Sequence, residues 1–345
     1  MNGENDQFIR KCTLLVRTDA DQFIDLSQFR IKFQTTNTDY ESPNSLVVRV
    51  YNLADETVNK IKTSISKSSL EWQQIVTASQ QPNAAQNVNP NTYYDIVLNA
   101  GYEHGNFGVI FQGNVKQFKV GRENNKDNYL DFYVADGDFG FINGVINETL
   151  AAGSTVRDQA QKLADSMPGI DIDGFSARPA IDQQHTPLLR GKTLAGMSRS
   201  YLRNLSSKIN VSWSIENGKI LMIPIQSYRL GEAVIINVNT GLIGLPEQTD
   251  NGISLTILLN SSLRIGGLVK LNNKEIPELT QSNPNQPLKF DSLDQVQANS
   301  LLSKDGIYRV YSIEHSGDTR GQDWYSKIVC LAIDISAPID ESVKP

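Results

Sequence analysis

The chain has 345 residues, 39% of them hydrophobic and 20% charged, with a formal net charge of −6. That length predicts two or three domains and a sizeable buried core. The mildly acidic balance, with no Lys/Arg-rich run, disfavours nucleic-acid binding through a basic patch. No apolar stretch approaches the roughly 18 residues of a membrane helix.

The start, MNGENDQFIRK, is polar and lacks a signal-peptide apolar run, so the expectation is a chain made and folded in the cytosol. Residues 8–50 then alternate with the period of half-buried strands, through Leu14 and Val16, Ile31 and Phe33, and Leu46, Val48 and Val50. The segment YNLADETVNKIKTSI predicts a short helix capped by Asp55, with Val58, Ile61 and Ile65 on one face. The Gln/Asn/Pro-rich residues 79–92 read as an exposed loop. Strands resume at Tyr94–Ala100, Val109–Val120 and Tyr129–Ala135.

The pattern changes after that. Thr155 and Asp158 have capping-box spacing, and Val156, Ala160, Leu163, Ala164 and Met167 form the apolar face of a helix that Pro168-Gly169 ends. A second helix is expected from near Thr193, with Leu194, Met197, Tyr201 and Leu205 as its stripe. A hairpin follows over Asn210–Glu216 and Lys219–Ile225. Its Asn217-Gly218 turn suits two positive-φ positions. Strands are expected again at Val234–Val238, Ile253–Asn260 and Leu268–Asn272, with turns at Asn251-Gly252 and Gly266-Gly267. Residues 273–302 form a long polar insert. Ile307–Glu314 and Trp324–Asp334 close the chain as a hairpin, and SAPIDESVKP reads as a mobile tail.

Chemistry-bearing motifs are sparse. Cys12 and Cys330 have no CxxC partner and read as small apolar residues in strands. His104, His185 and His315 lie in no HExxH or HxH pattern, so each reads as a surface or satisfied histidine. His315-Ser316-Gly317-Asp318-Thr319-Arg320 holds the residue types of a hydrolase triad, but within one short loop. Neighbouring strand side chains point to opposite faces, which places His315 and Ser316 badly for proton transfer. The expectation is a hairpin loop in which Asp318 accepts from nearby backbone N–H groups and Arg320 pairs with a carboxylate.

Asp136-Gly137-Asp138 lacks the calcium-loop spacing and reads as a strand-end turn. Asp171-Ile172-Asp173 reads as strand, and GYEHGNFG from Gly101 as a turn rather than a phosphate loop. Trp72, Trp213 and Trp324 are isolated and are expected to serve packing or an interface. No catalytic, cofactor-binding or metal-binding residue is assigned. A paired-carboxylate glycosidase is assembled in space rather than in sequence, so spacing alone neither supports nor excludes it.

Four segments carry a family resemblance. VRVYNLADETVNKI resembles the first-domain segment of bacteriophage tail proteins, where a strand ends in Tyr-Asn-Leu before a short helix. VLNAGYEHGNFGVIFQGNV resembles the strand pair that follows in them. GLIGLPEQTDNGISLTILLNSSLRIGG resembles a segment of phage baseplate hub proteins, and IYRVYSIEHSGDTRGQDWYSKIVCLAI their closing hairpin. Together these span most of Val47 to Ile333; the middle of the chain matches mainly in layout.

The resemblance implies a mainly β fold with an α+β part. Two tail-tube-like β-barrel domains, residues 1–142 and 231–336, would flank a small α+β domain, 143–230, ahead of a mobile tail, 337–345. It implies a structural, non-enzymatic baseplate hub subunit, related to the base of type VI secretion spikes. Such subunits form a homotrimeric, pseudo-hexameric ring that joins the six-fold tail tube to the three-fold spike. The implied partners are other copies of the chain, a tail tube protein or tube initiator, the central spike, the tape-measure protein and baseplate wedge proteins. The implied location is the virion tail baseplate, assembled in the host cytoplasm. Two rival readings are a peptidoglycan hydrolase of the tail tip and a carbohydrate-binding tail module.

Overall fold

A computed structural model describes residues 7–19, 22–66, 95–172, 186–225, 227–249, 252–271 and 306–332. The loop 79–92, the insert 273–302, the tail, Trp72, His185 and Asp173 lie outside the described residues.

The fold is mostly β, built on one large sheet. Its first strands are β1 (Arg10–Asp19), β2 (Gln22–Asp25), β3 (Ile31–Thr38) and β4 (Ser45–Tyr51). Helix α1 occupies 55–66. Then come β5 (Ile96–Tyr102), β6 (Phe107–Glu123) and β7 (Asp127–Ala135). Alternation drives these elements: in β3 the residues Ile31, Phe33 and Thr35 turn inward while Lys32 and Gln34 face solvent. Helix α1 lays Val58, Ile61 and Ile65 over the same core. Asp55 stands at its first helical position rather than before it, and the amide of Val58 donates to the carbonyl of Ala54.

Strand β6 serves two partners. Phe107–Gly113 pairs with β5 and Asn114–Glu123 with β7. The change of partner falls at Gly113, where a Cβ would lie 2.6 Å from the carbonyl oxygen of Ala135. The resulting curved sheet encloses a first core that includes Leu14, Val48, Leu98, Phe132 and, from the far end of the chain, Leu259 and Trp324.

A middle core follows. Helix α2 (Asp138–Asn143) leads to β8 (Val145–Leu150), α3 (Val156–Asp165) and β9 (Asp171–Ile172). Thr155 caps α3 with the complete capping box expected, its hydroxyl accepting from the amide of Asp158 and the Asp158 carboxylate accepting from the amide of Thr155. The helix expected near Thr193 begins later. Lys192–Met197 is strand β10, paired with β8, and helix α4 covers Ser198–Lys208. Gly196 has φ +139°, which no helix accepts, so Leu194 and Met197 belong to the strand and only Tyr201 and Leu205 to the helix. The Asn-Gly hairpin is present as β11 (Val211–Glu216) and β12 (Lys219–Pro224), with φ +54° at Asn217 and +71° at Gly218. Trp213 is buried in this core beside Phe141.

The last strands are β13 (Val234–Ile236), β14 (Leu242–Thr249), β15 (Gly252–Leu258), β16 (Leu268–Leu271), β17 (Ile307–Asp318) and β18 (Trp324–Ala332). They surround a third core that includes Ile253, Leu255, Val269, Tyr308, Val310 and Ile328. Strand β13 stops at Ile236, short of the expected Val238, because Val238–Thr240 forms a 3-10 turn closed by an Asn237/Thr240 capping box.

The first and last thirds are one sheet. Thirteen strands join it, with a main path β14-β15-β18-β17-β3-β4-β7-β6-β5-β1-β2. Strand β17 makes the splice. Ile307–Arg309 pairs with β16, a bulge follows between Val310 and Ser312, and Ser312–Asp318 pairs with Thr38–Lys32 of β3. Its opposite edge is covered by β18.

Candidate functional site

The splice between β3 and β17 is also where the three cores meet, and polar side chains gather there. At its lower end Arg309 is 3% exposed. Its Nη1 donates to the carbonyls of Pro224, Ile225 and Ser227 at 3.0, 3.1 and 3.0 Å. Its Nη2 donates to the Asp39 carboxylate and, at 3.0 Å, to the Ser212 hydroxyl. The guanidinium thus gathers the end of β3, the middle hairpin and the segment leaving it around the first turn of β17. A fixed planar fork of donors suits this better than a lysine ammonium.

One strand pair further along, Asn44 donates to the carbonyl of Ile215 at 2.8 Å and accepts from the amide of Thr38 at 2.9 Å. Asp136, at the end of β7, holds the tip of the middle hairpin. Its carboxylate accepts from the amides of Asn217 and, at 2.7 Å, Gly218. Burial pushes the Asp136 carboxyl up to about 8, against the pull of those two N–H groups. Asp136 and Gly137 form the bend expected at the strand end, while Asp138 opens helix α2 and pairs with Lys116 at 3.0 Å. Among the described residues no group of His, Cys, Asp and Glu is arranged to hold a metal ion.

The His315 segment differs from the expected loop. His315 to Asp318 lie within β17, and the turn is 319–322. His315 is 2% exposed, its Nδ1 is 2.8 Å from the Ser326 hydroxyl of β18, and its amide donates to the Thr35 hydroxyl of β3. Burial, helped by Arg264, holds its pKa down to about 3, so the ring is neutral at ordinary pH. Ser316 faces the other side, as the strand period requires.

Asp318 accepts from the amide of Arg320 at 3.0 Å, as expected. Its ion-pair partner, however, is Arg30 at 2.6 Å, which holds its carboxyl below the usual range; the Arg320 side chain reaches the carbonyl of Gln28 instead. The His–Ser pair that does form, His315 with Ser326, is a cross-strand pair invisible in the local motif. Both side chains are closed to solvent, so this pair offers an incoming acyl group no path.

His104 lies exposed in the β5–β6 turn. Cys12 is half-buried and Cys330 buried; both are free thiols, and burial pushes Cys12 up to about 12 and Cys330 higher still. Neither has the thiolate character of a reactive cysteine. Trp324 is fully buried, with Phe33 edge-on at 5.5 Å and the Arg10 guanidinium 5.7 Å from its ring centre.

The polar groups at the splice are spent on holding strands and turns to one another, as in a scaffold protein. The family model described as "Baseplate hub gp41" matches residues 13–291. The chain belongs to this baseplate hub family, and its role is that of a structural hub subunit of a phage tail, a component of the virion tail.

Among solved structures, a tail protein from Neisseria meningitidis MC58 shares the fold. It is 7% identical, with 94% of this chain and 97% of that one covered and a TM-score of 0.51. A 43 kDa tail protein of prophage MuSo2 from Shewanella oneidensis is 9% identical over 94% of this chain and 98% of its own, with a TM-score of 0.49. An E. coli component of the type VI secretion system, described as similar in structure to T4 phage tail proteins, is 9% identical over 92% of this chain and 77% of its own, with a TM-score of 0.48. No curated protein sequence matches the chain.

Proposed function

We propose that three copies of the chain close into a ring of pseudo-six-fold symmetry that joins a six-fold tail tube to a three-fold spike. The observation that carries this reading is the presence of two β cores in one chain, spliced at β3 and β17 into a single sheet. Two β units per chain make six in a trimer, which matches six tube subunits on one side and three spike chains on the other.

In this reading residues 1–142 and 231–336 act as two tube-like barrel domains and 143–230 as the α+β domain between them. The partners are further copies of the chain, the tube or its initiator, the spike, and the tape-measure and wedge proteins, with assembly in the host cytoplasm. The role is mechanical rather than catalytic, which accords with polar groups consumed in structural bonds.

Light scattering of the purified chain is expected to give three times the chain mass, and averaged electron micrographs a three-fold ring. A strictly monomeric particle, both alone and when mixed with tube and spike, would sink the ring. Zymography on peptidoglycan is expected to show no clearing; clearing that disappears on substitution of an acidic residue would return the chain to the hydrolases.

A further inference from the structure

The meeting point of the three cores contains a small polar cavity of about 10 Å³. Its walls include Asn37 of β3, His315 of β17, Asn44, Asp136, Asn217 and Arg264. Most of the polar atoms there are already engaged. Asn44 uses both ends of its amide, Asp136 takes two backbone N–H groups, and Arg264 donates to the carbonyls of Ser261 and Leu263. Glu216, also in the wall, pairs with Arg229.

Two groups remain. The Oδ1 of Asn37 is buried with no hydrogen-bond partner. A buried amide oxygen left so keeps its full desolvation penalty. The second is Nε2 of His315. The Ser326 oxygen accepts from the amide of Asn260 at 3.0 Å, so its own proton is free to go to His315 Nδ1 at 2.8 Å. A neutral imidazole that accepts at Nδ1 carries its proton on Nε2. His315 is part of the cavity wall and Ser326 is not.

Register puts the two side chains on the same face of the ladder. His315 stands opposite Thr35 and Ile313 opposite Asn37, so Asn37 is the diagonal neighbour of His315. Diagonal pairs on an antiparallel ladder lie roughly 7–8 Å apart. A cavity of roughly 10–15 Å³ is the smallest that holds one water molecule.

We propose that this cavity is a binding site for a single structural water, which accepts from His315 Nε2–H and donates to Asn37 Oδ1. The water supplies the partner that Asn37 Oδ1 lacks between β3 and β17. In this arrangement the neutral ring accepts at Nδ1 from Ser326 and donates from Nε2 to the water.

A map of the protein sharp enough to show ordered water is expected to show one density peak within about 2.7–3.2 Å of both atoms. Well-ordered side chains with no peak between them would overturn the proposal. Nitrogen chemical shifts of ¹⁵N-histidine-labelled protein are expected to show a buried ring unprotonated at Nδ1 and protonated at Nε2; the reverse tautomer at His315 would equally overturn it. Asn37→Leu removes the acceptor and fills the space. The peak is expected to vanish in that variant with the fold retained, and a peak that persists would mean that other groups hold the water.

Discussion

At the residue scale, two buried titratable groups of the splice pull the pH dependence of stability in opposite directions. His315 has its pKa lowered to about 3. Between that value and its ordinary 6.5 the unfolded chain binds a proton that the folded one does not, so stability rises with pH there and is lost on acidification. Asp136 has its pKa raised to about 8. Between its ordinary 3.8 and that value the folded chain holds the proton and the unfolded one does not, so stability falls as pH rises.

Each slope is about 1.4 kcal/mol per pH unit. From about pH 4 to 6.5 they cancel. Urea unfolding across this range is expected to give a flat profile from these two groups in the native sequence. Asp136→Asn should expose the rising slope and His315→Gln the falling one. Identical profiles in all three proteins would show that neither group carries its shift.

Arg309 belongs to the same scale. Replacing it with methionine keeps the stem but takes the ion-pair partner from the buried Asp39, whose pKa burial already raises, and three backbone carbonyls lose their donor. Loss of one partner from a buried pair costs about 3–5 kcal/mol. Arg309→Met is expected to lower the unfolding free energy measured by urea titration by that much, and pairing it with Asp39→Leu to recover a good part of the loss.

At the scale of elements, the caps and turns were legible and the partnerships were not. Thr155→Ala should cost about 1 kcal/mol, read as a drop in thermal midpoint, because the capping box of α3 is complete. That box could be read directly from Thr155 and Asp158, as the hairpin could from Asn217-Gly218. Both are local: the chemistry that makes them lies within four residues.

The second helix was misplaced because Leu194, Met197, Tyr201 and Leu205 keep helical spacing across a boundary that only Gly196 marks. The loop expected at His315–Arg320 missed its true partners for a related reason. His315 and Ser316 are adjacent in sequence, while the hydroxyl that meets the imidazole comes from Ser326, across a hairpin whose register is set by the β17–β18 ladder. Arg30, the partner of Asp318, is 288 residues away. Strand existence follows from alternation, but strand neighbours follow from the three-dimensional path, and a sequence pattern carries little of that.

At the scale of the whole molecule, the continuous sheet makes the first and last thirds depend on each other. Trp324 belongs to the last hairpin yet packs in the first core, with Leu259 beside it. Trp213 reports the middle core. Single-tryptophan variants that keep one or the other, with Phe at the remaining positions, are expected to show coincident unfolding in urea, and to coincide with far-UV circular dichroism. Well-separated midpoints would mean that the cores are independent bodies that merely touch.

The splice also has a direction. Seven successive residue pairs lie side by side between Lys32–Thr38 and Ser312–Asp318. A pull applied across these strands would part them one pair at a time, each break exposing the next. A pull applied along them loads all the pairs together, and the joint yields only if they fail at once. If the chain joins tube to spike as proposed, the joint holds best when the load runs parallel to β3 and β17. The molecule would then be strong along one axis and weak across it, much as wood is along its grain.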